Sequence, residues 1–233
     1  MKALVFDSGP IISLALNNLL WVLEELKKHY EGDFLAPPAV YQELVERPMN
    51  ILRYRFEAYQ TRELFNKGVL KIGDGEVFRE MRQTALSLAG RLLYAKHHPI
   101  SVIHEGDAEV LALAYSAGAE AVVMDERTTR VLLEEPDALR KIISSKLHTK
   151  VKLEKKALKE FLRNFSGCRV IRSVELVAIA YELGILDRYS DNPQQPEAKE
   201  AMLEASLWAL KLKGATVSQN EIEKILKVER ALR

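Results

Sequence analysis

Short apolar runs alternate along this chain with longer stretches in which apolar residues recur at helical spacing. Ala3-Leu4-Val5-Phe6 is a run closed by Asp7-Ser8-Gly9-Pro10, the pattern of a buried strand ending in a turn. Ile11, Leu14, Leu19, Val22, Leu23 and Leu26 then continue a broad apolar face. They predict one long helix, with Pro10 at its first position and Tyr30-Glu31-Gly32-Asp33 at its end. Phe34-Leu35-Ala36 predicts a second strand, stopped by Pro37-Pro38, and the helix from Ala39 is interrupted at Pro48. Residues 49–100 predict a helix, a small strand at Val69-Leu70-Lys71-Ile72, a Gly73-Asp74-Gly75 turn, a further helix and a break at His97-His98-Pro99. Glu105 opens a helix that Gly118 stops, and Ala121-Val122-Val123-Met124 is a strand followed by Asp125. Ser173 to Leu183, 197–213 and 218–229 predict helices; Ser218 and Glu221 form a capping box for the last, and Gln194-Gln195-Pro196 marks a loop. The alternation predicts an α/β fold on a mostly parallel sheet.

That fold gives four acids a shared address. Ligands of open parallel sheets sit at the carboxyl ends of the strands, where Asp7 and Asp125 are predicted, while Glu43 and Asp107 fall in the first turns of helices. Taken singly, each acid has a structural reading, as a turn former or a partner of the helix dipole. Together at one sheet edge, four carboxylates would repel by several kcal/mol unless a cation neutralised them. An all-oxygen donor set selects Mg²⁺ or Mn²⁺ over zinc.

Composition narrows the classes. A chain of 233 residues, 48% hydrophobic and 29% charged, can bury a full core. The single Cys168 excludes an internal disulfide and a Cys-rich zinc site, and its simplest role is that of a small buried residue. No stretch has the length and apolarity of a membrane span, and the four apolar residues before Asp7 are too few for a signal-peptide core. A cytoplasmic location is the expectation. Lys plus Arg, 34, nearly cancel Asp plus Glu, 33, but the charge is unevenly placed. Residues 139–172 hold eleven Lys or Arg against two acids, whereas residues 104–137 hold nine acids against Arg127 and Arg130.

The ordered segments Asp7-Ser8-Gly9-Pro10-Ile11-Ile12, Pro37-Pro38-Ala39-Val40-Tyr41-Gln42-Glu43-Leu44, Gly106-Asp107-Ala108-Glu109-Val110 and Val122-Val123-Met124-Asp125-Glu126-Arg127 resemble the acidic motifs of PIN-domain nucleases. Residues 174–186, the Ala-rich helix after them and Gly214-Ala215-Thr216-Val217-Ser218 resemble the tail of a longer prokaryotic and archaeal subgroup related to VapC-type toxin ribonucleases. The resemblance implies a three-layer α/β/α sandwich, Mg²⁺- or Mn²⁺-dependent cleavage of RNA, and metal binding by Asp7, Glu43, Asp107 and Asp125. It also implies a homodimer and a small antitoxin as partners to look for. Ser8 would hydrogen-bond a ligand or, more simply, cap the helix; Glu109 would support the metal site or serve as a dipole partner or solvated acid. Arg127 and Thr128 would touch a scissile phosphate or lie on the surface.

On this reading residues 1–233 form a single PIN-like domain with a basic helical insertion at about 139–172 and a C-terminal helical extension at about 190–233. The insertion would bury Leu153, Leu158, Phe161 and Leu162 and leave a Lys-rich rim that attracts phosphates. Two rivals stand beside the nuclease. One is a PIN-like module that binds RNA or protein without cutting. The other is a phosphatase of the haloacid dehalogenase type, which needs a second Asp where this chain has Gly9.

Overall fold

The computed structural model describes residues 2–189 and 195–232. Strand β1 (Ala3–Phe6) passes through Asp7 into helix α1 (Ser8–Leu16). The single long helix expected here is two. Asn18 adopts a left-handed φ of 55°, Leu19 N–H turns back to the Leu14 carbonyl, and α2 (Trp21–His29) begins afresh. Asn tolerates that conformation as few other side chains do, so Asn17-Asn18 was a stop that the apolar periodicity hid. Pro10 sits within the first turn of α1 rather than opening it.

Strand β2 (Asp33–Ala36) leads into α3 (Pro38–Tyr41), which widens into a π turn over Gln42–Glu46 closed by Arg47 N–H on the Gln42 carbonyl at 2.9 Å. Pro48 has no N–H with which to continue a regular ladder. Next come α4 (Arg55–Asn66), β3 (Lys71–Ile72), α5 (Glu76–Ala89), β4 (Leu93–Ala95) and β5 (His98–Ile100). The break expected at His97 is a hairpin: Lys96 and His97 have φ of 47° and 70°, the paired left-handed residues of a turn whose twist suits two antiparallel strands. The second half comprises α6 (Glu105–Ala117), β6 (Ala121–Val123), α7 (Arg127–Glu134), α8 (Pro136–Lys146), β7 (Val151–Leu153), α9 (Lys155–Phe165) and β8 (Arg169–Ile171). Helices α10 (Ser173–Glu182), α11 (Pro196–Lys213) and α12 (Gln219–Ala231) follow.

The strands form two sheets. The larger is wholly parallel with order β3-β2-β1-β6-β8, giving the α/β/α sandwich. The smaller is antiparallel, β5-β4-β7. Each has its own apolar cluster. Phe6, Leu14, Leu23, Phe34, Val122 and Leu207 belong to the main one; Leu92, Leu93, Leu111, Leu132 and Phe161 belong to the second. Helix α6 serves both, sending Val110 and Leu113 to the first and Ala108 and Leu111 to the second, so its N-terminus is fixed from two sides.

The basic segment 139–172 contributes a strand to each sheet, β7 and β8, and so is not a helical insertion alone. Its expected apolar stripe is present, with Phe161 buried and Leu153, Leu158 and Leu162 packed against the second cluster. Cys168 lies half-buried beside β8, with its thiol on the Ala119 carbonyl at 3.1 Å and its pKa raised by burial. Helices α11 and α12 close the main cluster through Leu203, Leu207, Leu210, Ile222 and Leu226. Of the loop expected at Gln194-Gln195-Pro196, Gln194 lies outside the described residues. Among those residues no helix is long and apolar enough to cross a membrane.

Candidate active site

From β1 the chain order of the sheet runs one way to β2 and β3 and the other way to β6 and β8. The reversal point lies between β1 and β6, and in such sheets that crevice, at the carboxyl ends, is where ligands bind. Asp7 follows β1 and Asp125 follows β6. Asp7 N–H donates to the Val123 carbonyl at 2.9 Å, holding the two strand ends together. Gly9 shows how close the acids stand: a Cβ on it would lie 3.4 Å from Asp7 Oδ2 and 3.5 Å from Asp125 Cβ. The missing side chain keeps the gap between them open.

Asp7 itself, not Ser8, is the N-cap of α1, with φ −80°, ψ 163° and Oδ2 accepting from Gly9 N–H at 3.4 Å. The helix starts immediately after the strand, which leaves Ser8 inside it and buried. The Asp7 pKa is pushed up to about 7, by burial first and then by the like charges of Asp107 and Glu43, against the lowering pull of the Ser8 and Gly9 N–H groups. These interactions tie three of the four acids into one field. Asp107 is the third residue of α6, where its carboxylate accepts His104 N–H at 3.0 Å. Its pKa is raised by burial and then by Glu126, and lowered by His104 and by the nearby Thr129 hydroxyl. Glu43 is exposed on the π turn and lines an apolar recess with Ile12, Leu44, Tyr54 and Glu57.

Asp125 is placed differently. It is 6% exposed, and its carboxylate accepts Ser173 N–H at 2.8 Å, Ser173 Oγ–H at 2.8 and 3.0 Å, and Ser13 Oγ–H at 2.9 Å. Sheet register explains this. Val123 is opposite Ile171, so the residues two further along each strand meet at the start of α10. Asp125 therefore joins β6, α1 and α10, with most of its acceptor capacity taken.

As the side chains stand, no group of three or more His, Cys, Asp or Glu among the described residues surrounds a single point that a metal could occupy. Asp7 feels the charges of Asp107 and Glu43, while Asp125 is engaged by serines.

Glu109 is buried rather than solvated. It accepts Ala39 N–H at 2.9 Å at the start of α3, a helix other than its own, and pairs with Arg82 at 3.1 Å. Thr128 lines a recess with Asp107, whereas Arg127 faces a different one, beside Lys211 and Glu221. Sequence reasoning missed Ser13, Ser173, Thr129 and His104. Ser13 lies one helical turn beyond Gly9, a signal available in the sequence; Ser173 needed the pairing of β6 with β8, which no local pattern gives.

A family model described as DUF3368, PIN domain, matches residues 3–138, more than half of the chain. The chain belongs to the PIN-domain family. Members of that family are nucleases as a class and typically use divalent metal ions. The PIN match takes in all four acids and stops before β7, β8 and α10, so Ser173 lies beyond it. No curated protein and no solved structure matches the chain.

Proposed function

We propose that this PIN domain is a Mg²⁺- or Mn²⁺-dependent endoribonuclease whose metal is held by Asp7, Glu43 and Asp107, with Asp125 completing the set through the acceptor capacity its serines leave. The observation that carries the reading is Asp7, buried at the carboxyl end of β1 within electrostatic reach of Asp107 and Glu43 and beside a gap that Gly9 leaves open. The donor chemistry fits a hard cation, which would relieve the repulsion that keeps the carboxylates apart. When bound, such an ion supplies Lewis-acid activation of water and of the scissile phosphate.

The chain's own groups have separable tasks. Asp7 works ionised, so its raised pKa means that ligation displaces a proton from it near neutral pH. Asp107 is oriented by His104 N–H at 3.0 Å. Asp125 fixes the β6 end against α1 and α10, which sets the width of the gap. A homodimer and a small antitoxin are proposals that come with the family resemblance; a cytoplasmic setting is proposed from the sequence's lack of a membrane-span or signal-peptide pattern.

Asp7→Asn keeps a cap-competent side chain and removes the charge. Its Mn²⁺-dependent cleavage of RNA, read on gels, should fall roughly a thousandfold, equivalent to about 4 kcal/mol of activation free energy. Undiminished cleavage by this variant overturns the proposal. A module that binds without cutting would show no cleavage from the wild type and no acid-dependent affinity for Mn²⁺ in calorimetry.

A further inference from the structure

The small sheet has a face that the acid site does not use. Strand alternation turns Leu93 and Val151 inward to the second cluster, leaving Tyr94 and its cross-strand partner Lys152 on the outer side. The hairpin turn adds Lys96 and His97, and the approach to β7 adds Thr149 and Lys150; these six residues line one recess of about 480 Å³. A second recess, of about 260 Å³, holds Asp107, His104, Glu126 and Thr128 together with Lys146 at the end of α8. The chain itself joins the two: Lys146 and Leu147 line the acid-side recess, and Thr149 and Lys150, directly beyond the left-handed His148, line the other.

Among the described residues none of Lys96, Lys146, Lys150 and Lys152 has an ion-pair partner, although ion pairs are present on other faces of the molecule. The acid lining the larger recess, Glu154, is engaged in capping α9 through Lys156 N–H at 3.1 Å. The result is a strip of unpaired ammonium groups with a half-buried tyrosine, starting beside Asp107.

We propose that this strip is the docking track for the phosphodiester backbone of a single-stranded RNA, a substrate assignment that rests on the nuclease reading for its direction toward Asp107. Lys146 would meet a phosphate next to the acid site; Lys96, Lys150 and Lys152 would hold phosphates further along, with Tyr94 offering a ring edge or face to a base. Neutralisation of phosphates by lysines displaces counter-ions, so affinity along the strip depends steeply on salt.

The test uses the full chain and a fluorescein-labelled single-stranded RNA, with affinity read by anisotropy in EDTA over a salt series, where no cleavage contributes. Lys150→Glu with Lys152→Glu should weaken binding about tenfold at about 0.1 M salt and reduce the log–log salt slope by about 0.7 for each phosphate no longer neutralised. The arginine pair, Lys150→Arg with Lys152→Arg, should bind like the wild type. A glutamate pair that retains the wild-type circular dichroism, affinity and slope overturns the track, as does wild-type protein that fails to bind RNA in EDTA. Should the pair not fold, Lys96→Glu on the hairpin turn carries the same expectation and the same refutation. Cleavage with Mn²⁺ is scored separately: RNA bound through the strip but never cut would remove the nuclease reading and leave the track, whereas RNA cut with no loss from the glutamates would do the reverse.

Discussion

The ends of β1 and β6 lie side by side in the sheet and each delivers an aspartate, yet the two carboxylates live in opposite surroundings. Asp125 is buried and receives hydrogen bonds from two serines and a helix N–H. Asp7 has only the backbone N–H groups of its own turn to offset burial and the charges of Asp107 and Glu43. A carboxylate satisfied by its neighbours is a structural joint. One left short of partners in a crevice carries its charge at a cost in the folded state.

The comparison makes the two sites respond to substitution with opposite signs. Asp7 has a folded pKa of about 7 against an ordinary 3.8. Between those values the folded chain retains a proton that the unfolded chain has lost, so this group's contribution to stability falls as pH rises from about 4 to 7 and stays low above. Removing the charge should therefore stabilise the metal-free protein: Asp7→Asn, melted in EDTA at pH 8, should gain about 3 kcal/mol, an advantage that disappears at pH 4. No gain at pH 8 would mean that Asp7 is not the strained acid. Asp125→Ala should do the reverse, losing about 2 kcal/mol in denaturant titrations because Ser173 N–H and two hydroxyls are left without their acceptor. Equal losses at both positions would erase the distinction.

A proton released on ligation leaves a thermodynamic trace. Mn²⁺ affinity measured by calorimetry should drop about tenfold per pH unit below 7, with proton uptake by the buffer matching the slope; a flat profile would place the ion away from Asp7. The smallest effect tests how far the C-terminal helices reach into the joint. A Cβ on Gly214 would stand 2.7 Å from Ser13 Oγ and 3.2 Å from Ser13 Cα. Gly214→Ala should therefore cost about 1 kcal/mol of stability, read as a lowered melting temperature, by crowding the serine that donates to Asp125. Ser13→Ala combined with it should be less than additive.

Local patterns carried the parallel sheet, the acid-bearing strand ends and the helix from Glu105, because each is written in contiguous residues. What escaped was set by relations between distant residues or by exceptions to propensity. Asn18 and the Lys96-His97 turn use left-handed backbone without glycine, so the usual markers of a break and of a hairpin were absent. Strand β8 is short and opens with Arg169, and only its pairing with β6 identifies it. Ser173 reaches Asp125 by that same pairing, which is why the difference between the two aspartates could not be seen in the chain alone.

The π turn that carries Glu43 has a consequence for chain length. A helix wound with a spare residue always has a neighbouring solution, the regular spiral that is one residue shorter. Loss of Gln42 would give the chain that solution and turn the carboxylate by about 100° around the axis, away from its present bearing. A one-residue deletion in this stretch would thus redirect Glu43 while leaving the helix able to form, so the proposed metal site depends on the number of residues there as well as on the acid itself.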